Sequence, residues 1–413
     1  MTGYVPQTVT LDGRELAAIK ARLQENNEAA APLRASLALL TAEANGWLTK
    51  GPWAVTDKAK AGPSGNIHDY VSQAPYWWPN PASTTGDGKP YVERDGQKNP
   101  EVLTYTDRVY VEKVFRAAYV LTLAWYYTDN ARYAAHAALV LRTWFVAPAT
   151  AMRPNLNHAQ LIPGINEGRS IGIIDFSQAY ASVLDAAVLL ASYKAEGKEA
   201  WTAEDDAGFR EWNKGFLSWL VDGKFGKEEH AQRSNHGSFA AMLVASIAAY
   251  VGDSAQVAQE VAHAVHDHLP ATIKADGQQP AELVRTRSWH YSTFNLLALT
   301  RLAMVADRAA ERLSEQGKQG ERLWPSLYAA IEYILPAATG GAAHWQHSDL
   351  QFEQYAAADL VRAAAASGHA ASQAAISKLE MPPDGDTWPV RPAPEQLDPV
   401  KAPGQTPGAA KPM

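Results

Sequence analysis

Two short stretches of this chain carry most of its chemical information. Ser234-Asn235-His236-Gly237 supplies an amide and an imidazole, and the run from Arg285 to Tyr291 supplies guanidinium groups and a phenol. A proton on the carbon next to a sugar carboxylate is a very weak acid while that carboxylate is charged. Donors that neutralise the carboxylate let the developing charge spread, and preorganised donors in a dry site are the main source of such stabilisation. An amide and a guanidinium suit that task, because an arginine fork matches a carboxylate. A phenol or an imidazole could then move the proton. A phenol has an ordinary pKa of about 10, and a nearby guanidinium favours the phenolate. The set resembles no metal site, phosphate loop or nucleophilic triad.

Spacing limits how these groups can meet. In one regular helix Arg287 and Tyr291 share a face, whereas Arg285 and Tyr291 point about 120° apart. Arg285 joins Tyr291 only from a loop before the helix, or by reaching round with its long side chain. The plainer alternatives are that Ser234 or Asn235 merely caps a helix starting near Gly237, and that the arginines are solvated. Other clusters weigh less. His263, His266 and His268 have only Asp267 beside them, and a partly exposed polar face outranks a metal site there. His344 and His347, near Trp345 and Asp349, could edge a cleft. Glu167 with Glu353 or Asp175 could be the acid–base pair of a glycoside hydrolase. Trp77 and Trp78 could stack on sugar rings or pack beneath a loop.

The chain has 413 residues, with 37 Lys+Arg against 44 Asp+Glu and a net charge of -7. That balance argues against nucleic acid as the main partner, but a local basic cleft on an acidic protein can still take an anion. Cysteine is absent, which excludes disulfides, thiolate catalysis and cysteine-ligated zinc. No run approaches the ~20 apolar residues of a membrane span, and Met1-Thr2-Gly3-Tyr4 shows no signal peptide.

The elements that must position these groups are helical. Val114, Ala117, Ala118, Leu121 and Trp125 recur at three- and four-residue steps, as do Phe294, Leu297, Ala298, Leu302 and Val305. The pattern predicts helices over 12–46, 107–128, 131–146, 175–195, 204–222, 237–251, 254–269, 288–313, 323–336, 350–367 and 369–379. Strand-like alternation is scarce, and no fixed-length repeat is visible. The expectation is one all-α domain over 1–380, built of helical hairpins side by side. Residues 51–106 are rich in Pro, Gly and Asn, but Tyr70, Tyr76, Trp77, Trp78 and Tyr91 argue for an ordered flap over a cleft. The Pro/Gly/Ala-rich stretch 381–413 reads as a disordered extension.

Several stretches together resemble the alginate-lyase superfamily. These are Asp69 to Pro81, Gly88 to Glu101, Asn166-Glu167-Gly168-Arg169, Ser234 to Gly237, Arg285 to Tyr291 and Gln351 to Gln354. Within it, the spacing of Asn235-His236, Arg285 and Tyr291 is most similar to polysaccharide lyase family 38. The resemblance implies an incomplete (α/α) toroid, with seven hairpins favoured over six, and β-elimination on alginate or β-1,4-glucuronan. It implies Tyr291, His236, Arg285 and Asn235 as catalytic residues, with Tyr291 able to serve as both base and acid on mannuronate or glucuronate. Trp77, Trp78, Asn166, Glu167, Arg169, Arg287, His290 and Gln351 are the implied substrate contacts. No metal or other cofactor is required. The expected partner is an anionic uronate polysaccharide, with no nucleic acid or membrane, and the expected form is a monomer in the periplasm or outside the cell.

Overall fold

The computed structural model describes residues 5–398, apart from 26, 83–87, 193–199 and 316–319. Two helices, α1 (Gly13–Leu23) and α2 (Ala31–Trp47), lead into α3 (Asp107–Thr128) and α4 (Ala131–Leu141). There follow α5 (Tyr180–Ser192), α6 (Ala203–Asp222), α7 (Asn235–Val251), α8 (Ser254–His263), α9 (Ser288–Glu315), α10 (Tyr328–Gly340), α11 (Ala358–Ala366) and α12 (Ala370–Ala375). Five of them, α3, α5, α7, α9 and α11, are buried along most of their length. Each packs on the next, and together they form the inner wall of an α/α toroid. Their alanine-rich sequences favour helix and let neighbours approach closely. The helices between them bury one face only, as an amphipathic pattern requires.

Helix ends follow local chemistry. Thr202 and Asp205 form a capping box that opens α6. Gly252, at φ 90°, ends α7 in the left-handed region that a residue without Cβ adopts freely. The single helix expected over 12–46 is broken: Asn27 caps a short turn, and Pro32 starts a new helix, α2. The helix expected from 350 begins only at Ala358, after a 3₁₀ turn at Gln354–Ala357. No single helix among the described residues is long and apolar enough to cross a membrane.

The flap is ordered by short strands. β1 (Val71–Gln73) pairs in parallel with β4 (His158–Leu161), and β2 (Trp77–Pro79) pairs antiparallel with β3 (Tyr91–Glu93). The expected disorder from residue 381 is corrected as far as Asp398. Trp388–Val390 pack on α2. Arg391 donates to Asp359 of α11 at 2.9 Å, and Arg116 of α3 donates to Glu395 at 2.7 Å. This segment therefore bridges the last inner helix to the first. Its order rests on buried ion pairs, which composition does not reveal. The remainder of the expected tail, 399–413, lies outside the described residues.

Candidate active site

A cleft of about 670 Å³ opens among the N-terminal halves of the inner helices, and Asn235, His236, Arg285 and Tyr291 all line it. Helix N-termini carry a partial positive charge, so the location itself suits an anion. Asn235 is the first residue of α7. Ser234 holds the N-cap position without a side-chain capping bond, so the capping alternative explains neither residue. The Asn235 backbone N–H and its Nδ2–H both donate to Glu282, each at 2.7 Å. One amide hydrogen and the carbonyl oxygen of the side chain remain available. His236 Nδ1 lies 2.6 Å from Glu229 Oε1, and an Nδ1–H donated there leaves Nε2 for the cleft. Gly237 lets the preceding turn close against the helix, because a Cβ would stand 2.1 Å from the Gln232 carbonyl oxygen.

Arg285 lies in the loop between the short helix Pro280–Leu283 and α9, the arrangement that its spacing from Tyr291 demands. Its guanidinium covers the Tyr291 ring, with Cζ 3.7 Å from the centroid. Asp95 of the flap holds it: Nε donates at 3.1 Å and Nη2 donates to the same carboxylate. Asp95 also accepts from the Thr286 backbone N–H at 3.2 Å and from Thr286 Oγ1 at 3.0 Å. Two of the five guanidinium hydrogens are thus used, and the end-on Nη1/Nη2 edge stays open for a second carboxylate. Burial alone would raise Asp95, but the hydrogen bond and charge of Arg285 bring its carboxyl below the ordinary range. Tyr291 is 5% exposed, and its hydroxyl donates to Tyr76 at 3.0 Å. Burial, then Tyr76, push the Tyr291 phenol well above its usual value, and the Arg285 charge offsets only part of this. The expected phenolate is therefore not the state of the free cleft: desolvation outweighs the guanidinium.

The alginate lyase family model matches residues 54–345, well over half of the chain. The chain belongs to the alginate lyase family. It is accordingly a polysaccharide lyase. A crystal structure of an alginate lyase from Bacteroides ovatus is 27% identical, with a TM-score of 0.81, covering 94% of this chain and all of that one. Alginate lyase A1-III from Sphingomonas species A1 is 13% identical, with a TM-score of 0.54 over 91% of this chain and 93% of that one, which speaks to fold alone. No curated protein matches.

Of the other residues implied for this alginate lyase, Trp77, Arg169 and His290 line the cleft. The Arg169 guanidinium faces the Trp77 ring and donates from Nε to the Gln160 carbonyl at 3.0 Å. His290 Nδ1 lies 3.0 Å from Asp398. The rest fall elsewhere. Trp78 donates its indole N–H to the Gln97 carbonyl beneath Arg94. Asn166 closes a turn onto Ile162, and Glu167 is exposed outside the cleft. Arg287 is buried toward Asp398 and the Gln351 carbonyl, and Gln351 donates to Glu353. His344 and His347 do not line the cleft, and His347 pairs with Tyr333. Among the described residues no group of metal ligands forms around His263, His266 and His268.

Sequence reasoning missed the anchors Glu229, Glu282, Asp95 and Tyr76. Tyr76 and Asp95 lie in the stretches Asp69 to Pro81 and Gly88 to Glu101 that carry the family resemblance, and Glu282 lies three residues before Arg285, but nothing in their spacing marks them as anchors. Glu395 and Gln396, from the segment expected to be disordered, also line the cleft.

Proposed function

We propose that Asn235, His236, Arg285 and Tyr291 form the elimination centre, and that it acts on mannuronate-type alginate by syn elimination. The observation that carries this reading is the Arg285 guanidinium on the face of Tyr291, with Asn235 and His236 in the same cleft. A uronate carboxylate meets the open edge of Arg285 and the free amide hydrogen of Asn235. Both donors are already held by carboxylates of their own, so little reorganisation is needed when charge develops. The reacting unit displaces water and brings its C5 proton to the Tyr291 oxygen. In mannuronate and glucuronate the C5 proton and O4 lie on one side of the ring, so one phenol can take the first proton and return it to the departing O4. Tyr76 accepts the phenolic hydrogen bond and offers a route by which Tyr291 loses its resting proton. His236, pinned by Glu229, is the group on hand for a substrate whose C5 proton faces the other side.

Glucuronan shares the stereochemistry of mannuronate and is the second substrate in this reading. The hydrolase alternative loses support, because neither Glu167 nor Glu353 lines the cleft. Asp175 does line it, but its oxygens are occupied by Tyr70, Ser72 and Gln160. The test is an ultraviolet absorbance assay on polymannuronate, polyguluronate and glucuronan. The unsaturated uronate product absorbs and a hydrolysis product does not. Polymannuronate or glucuronan is expected to give the faster signal, and Tyr291→Phe is expected to lower it by at least about 10³-fold while oligosaccharide still binds. Near-normal turnover in that variant would remove Tyr291 from its role.

A further inference from the structure

Most charged groups in the cleft have a partner within the protein. Arg285 has Asp95, and Arg116 has Glu43 and Glu395. Arg108 lies 3.3 Å from Glu112 and 3.2 Å from Asp175. Lys98 departs from this pattern. It lines the cleft from the flap, three residues after Asp95, and is only partly exposed. Its ammonium makes no hydrogen bond or ion pair among the described residues.

The two acids whose charge acts on it, Asp175 and Glu112, are committed elsewhere. Asp175 Oδ1 accepts from Gln160 Nε2 at 2.9 Å, and Oδ2 accepts from Tyr70 at 3.1 Å and Ser72 at 2.5 Å. Glu112 is 56% exposed on its side chain and turns to Arg108. Three ammonium hydrogens are therefore unspent, in surroundings that penalise a lone cation. Arg108, in the first turn of α3, adds its own charge and the positive end of that helix. Burial, then the Arg108 charge, lower the Lys98 pKa, and the opposing pulls of Glu112 and Asp175 do not make up the difference.

We infer that Lys98 binds the carboxylate of the uronate unit next to the one undergoing elimination. The cleft then reads two neighbouring carboxylates of the uronate chain. The inference rests on the elimination centre proposed above. Three residues of chain span at most ~10 Å, so the flap that fixes Arg285 through Asp95 also sets Lys98 within the scale of adjoining sugar units. Free of a fixed partner, the ammonium can follow the carboxylate as the chain moves.

Binding, rather than turnover, tests this. A mannuronate tetrasaccharide is titrated calorimetrically into Tyr291→Phe protein, with and without Lys98→Met. Lys98→Met is expected to weaken binding roughly tenfold and to flatten its salt dependence, as loss of a charge-assisted contact does. A carboxyl-reduced tetrasaccharide is expected to bind both proteins alike. Lys60→Met, which removes an exposed lysine outside the cleft, controls for net charge. Affinity within twofold after Lys98→Met, or an equal loss after Lys60→Met, overturns the inference and leaves the elimination centre standing. Failure of the Tyr291→Phe parent to bind the tetrasaccharide overturns both.

Discussion

The flap and the C-terminal segment are two irregular, Pro- and Gly-rich stretches, and both reach the same cleft. They are held there by different physics. The flap reaches the candidate centre through Asp95 on Arg285 and Tyr76 on Tyr291. The flap ion pair is part solvated, with side chains 26% and 31% exposed. The pair that ties the C-terminal segment to α11 is almost wholly dry: Arg391 and Asp359 are 4% and 1% exposed. A solvated pair adds little to stability, about 0–1 kcal/mol, whereas removing one partner of a buried pair costs roughly 3–5 kcal/mol. The flap contact should therefore be read out in catalysis and the C-terminal contact in folding.

The strongest way to break this contrast is Asp359→Ala. It leaves Arg391 in the interior with Glu395, at 3.4 Å, as its remaining acidic partner beside the Thr387 hydroxyl and the Ala393 carbonyl. The expected loss is about 3 kcal/mol in urea unfolding, and pairing Asp359→Leu with Arg391→Met should recover most of it. An unchanged midpoint in Asp359→Ala would mean that the segment merely rests on the toroid.

The same contrast marks what was legible in the sequence. Inner helices such as α3 and α9 announce themselves, because burial on most sides writes an apolar, alanine-rich period. Asn235, His236, Arg285 and Tyr291 were legible because unusual functional groups cluster in short stretches, and the condition placed on Arg285 by its spacing is met by the loop it occupies. Their anchors were not. Glu229 and Asp95 look like surface acids in a polar context, and the Asp95–Arg285 contact joins residues 190 apart. The C-terminal segment misled for a related reason. Composition reports the apolar surface that a stretch can bury, but is silent about a single Arg391 matched to a single Asp359.

Asp95→Asn tests the flap side. The neutral amide keeps the size of the side chain but loses the charge and the paired acceptance from Arg285. The guanidinium is then free to leave the Tyr291 ring. We expect kcat/KM on polymannuronate to fall roughly 100-fold, the scale of losing one oriented donor, with thermal stability almost unchanged. A matched loss of stability and activity would make the flap a structural element like the C-terminal segment, and the contrast would fail.

The finest test concerns the helix start that carries Asn235 and His236, which is backed by an imidazole rather than an ion pair. His268 is buried, bonds Ser238 Oγ at 2.8 Å, and would press on any Cβ at Gly237. Burial first, then the charges of His263, Arg233 and His230, bring its pKa from 6.5 down to about 4. The folded protein thus keeps His268 neutral where the unfolded chain takes up a proton. Its contribution is present above pH 6.5 and is lost as pH falls toward 4, an effect on the order of 3 kcal/mol. Asp107 and Asp185, both raised to about 6 by burial, act in the opposite sense. They favour the fold at low pH and lose that contribution as pH rises through 6. The informative quantity is therefore the difference between the parent and His268→Gln in urea unfolding at pH 7 and pH 4.5. The parent should lose about 2–3 kcal/mol more than the variant on acidification. Equal losses would mean that His268 is protonated in the fold and that the base of α7 is held by charge after all.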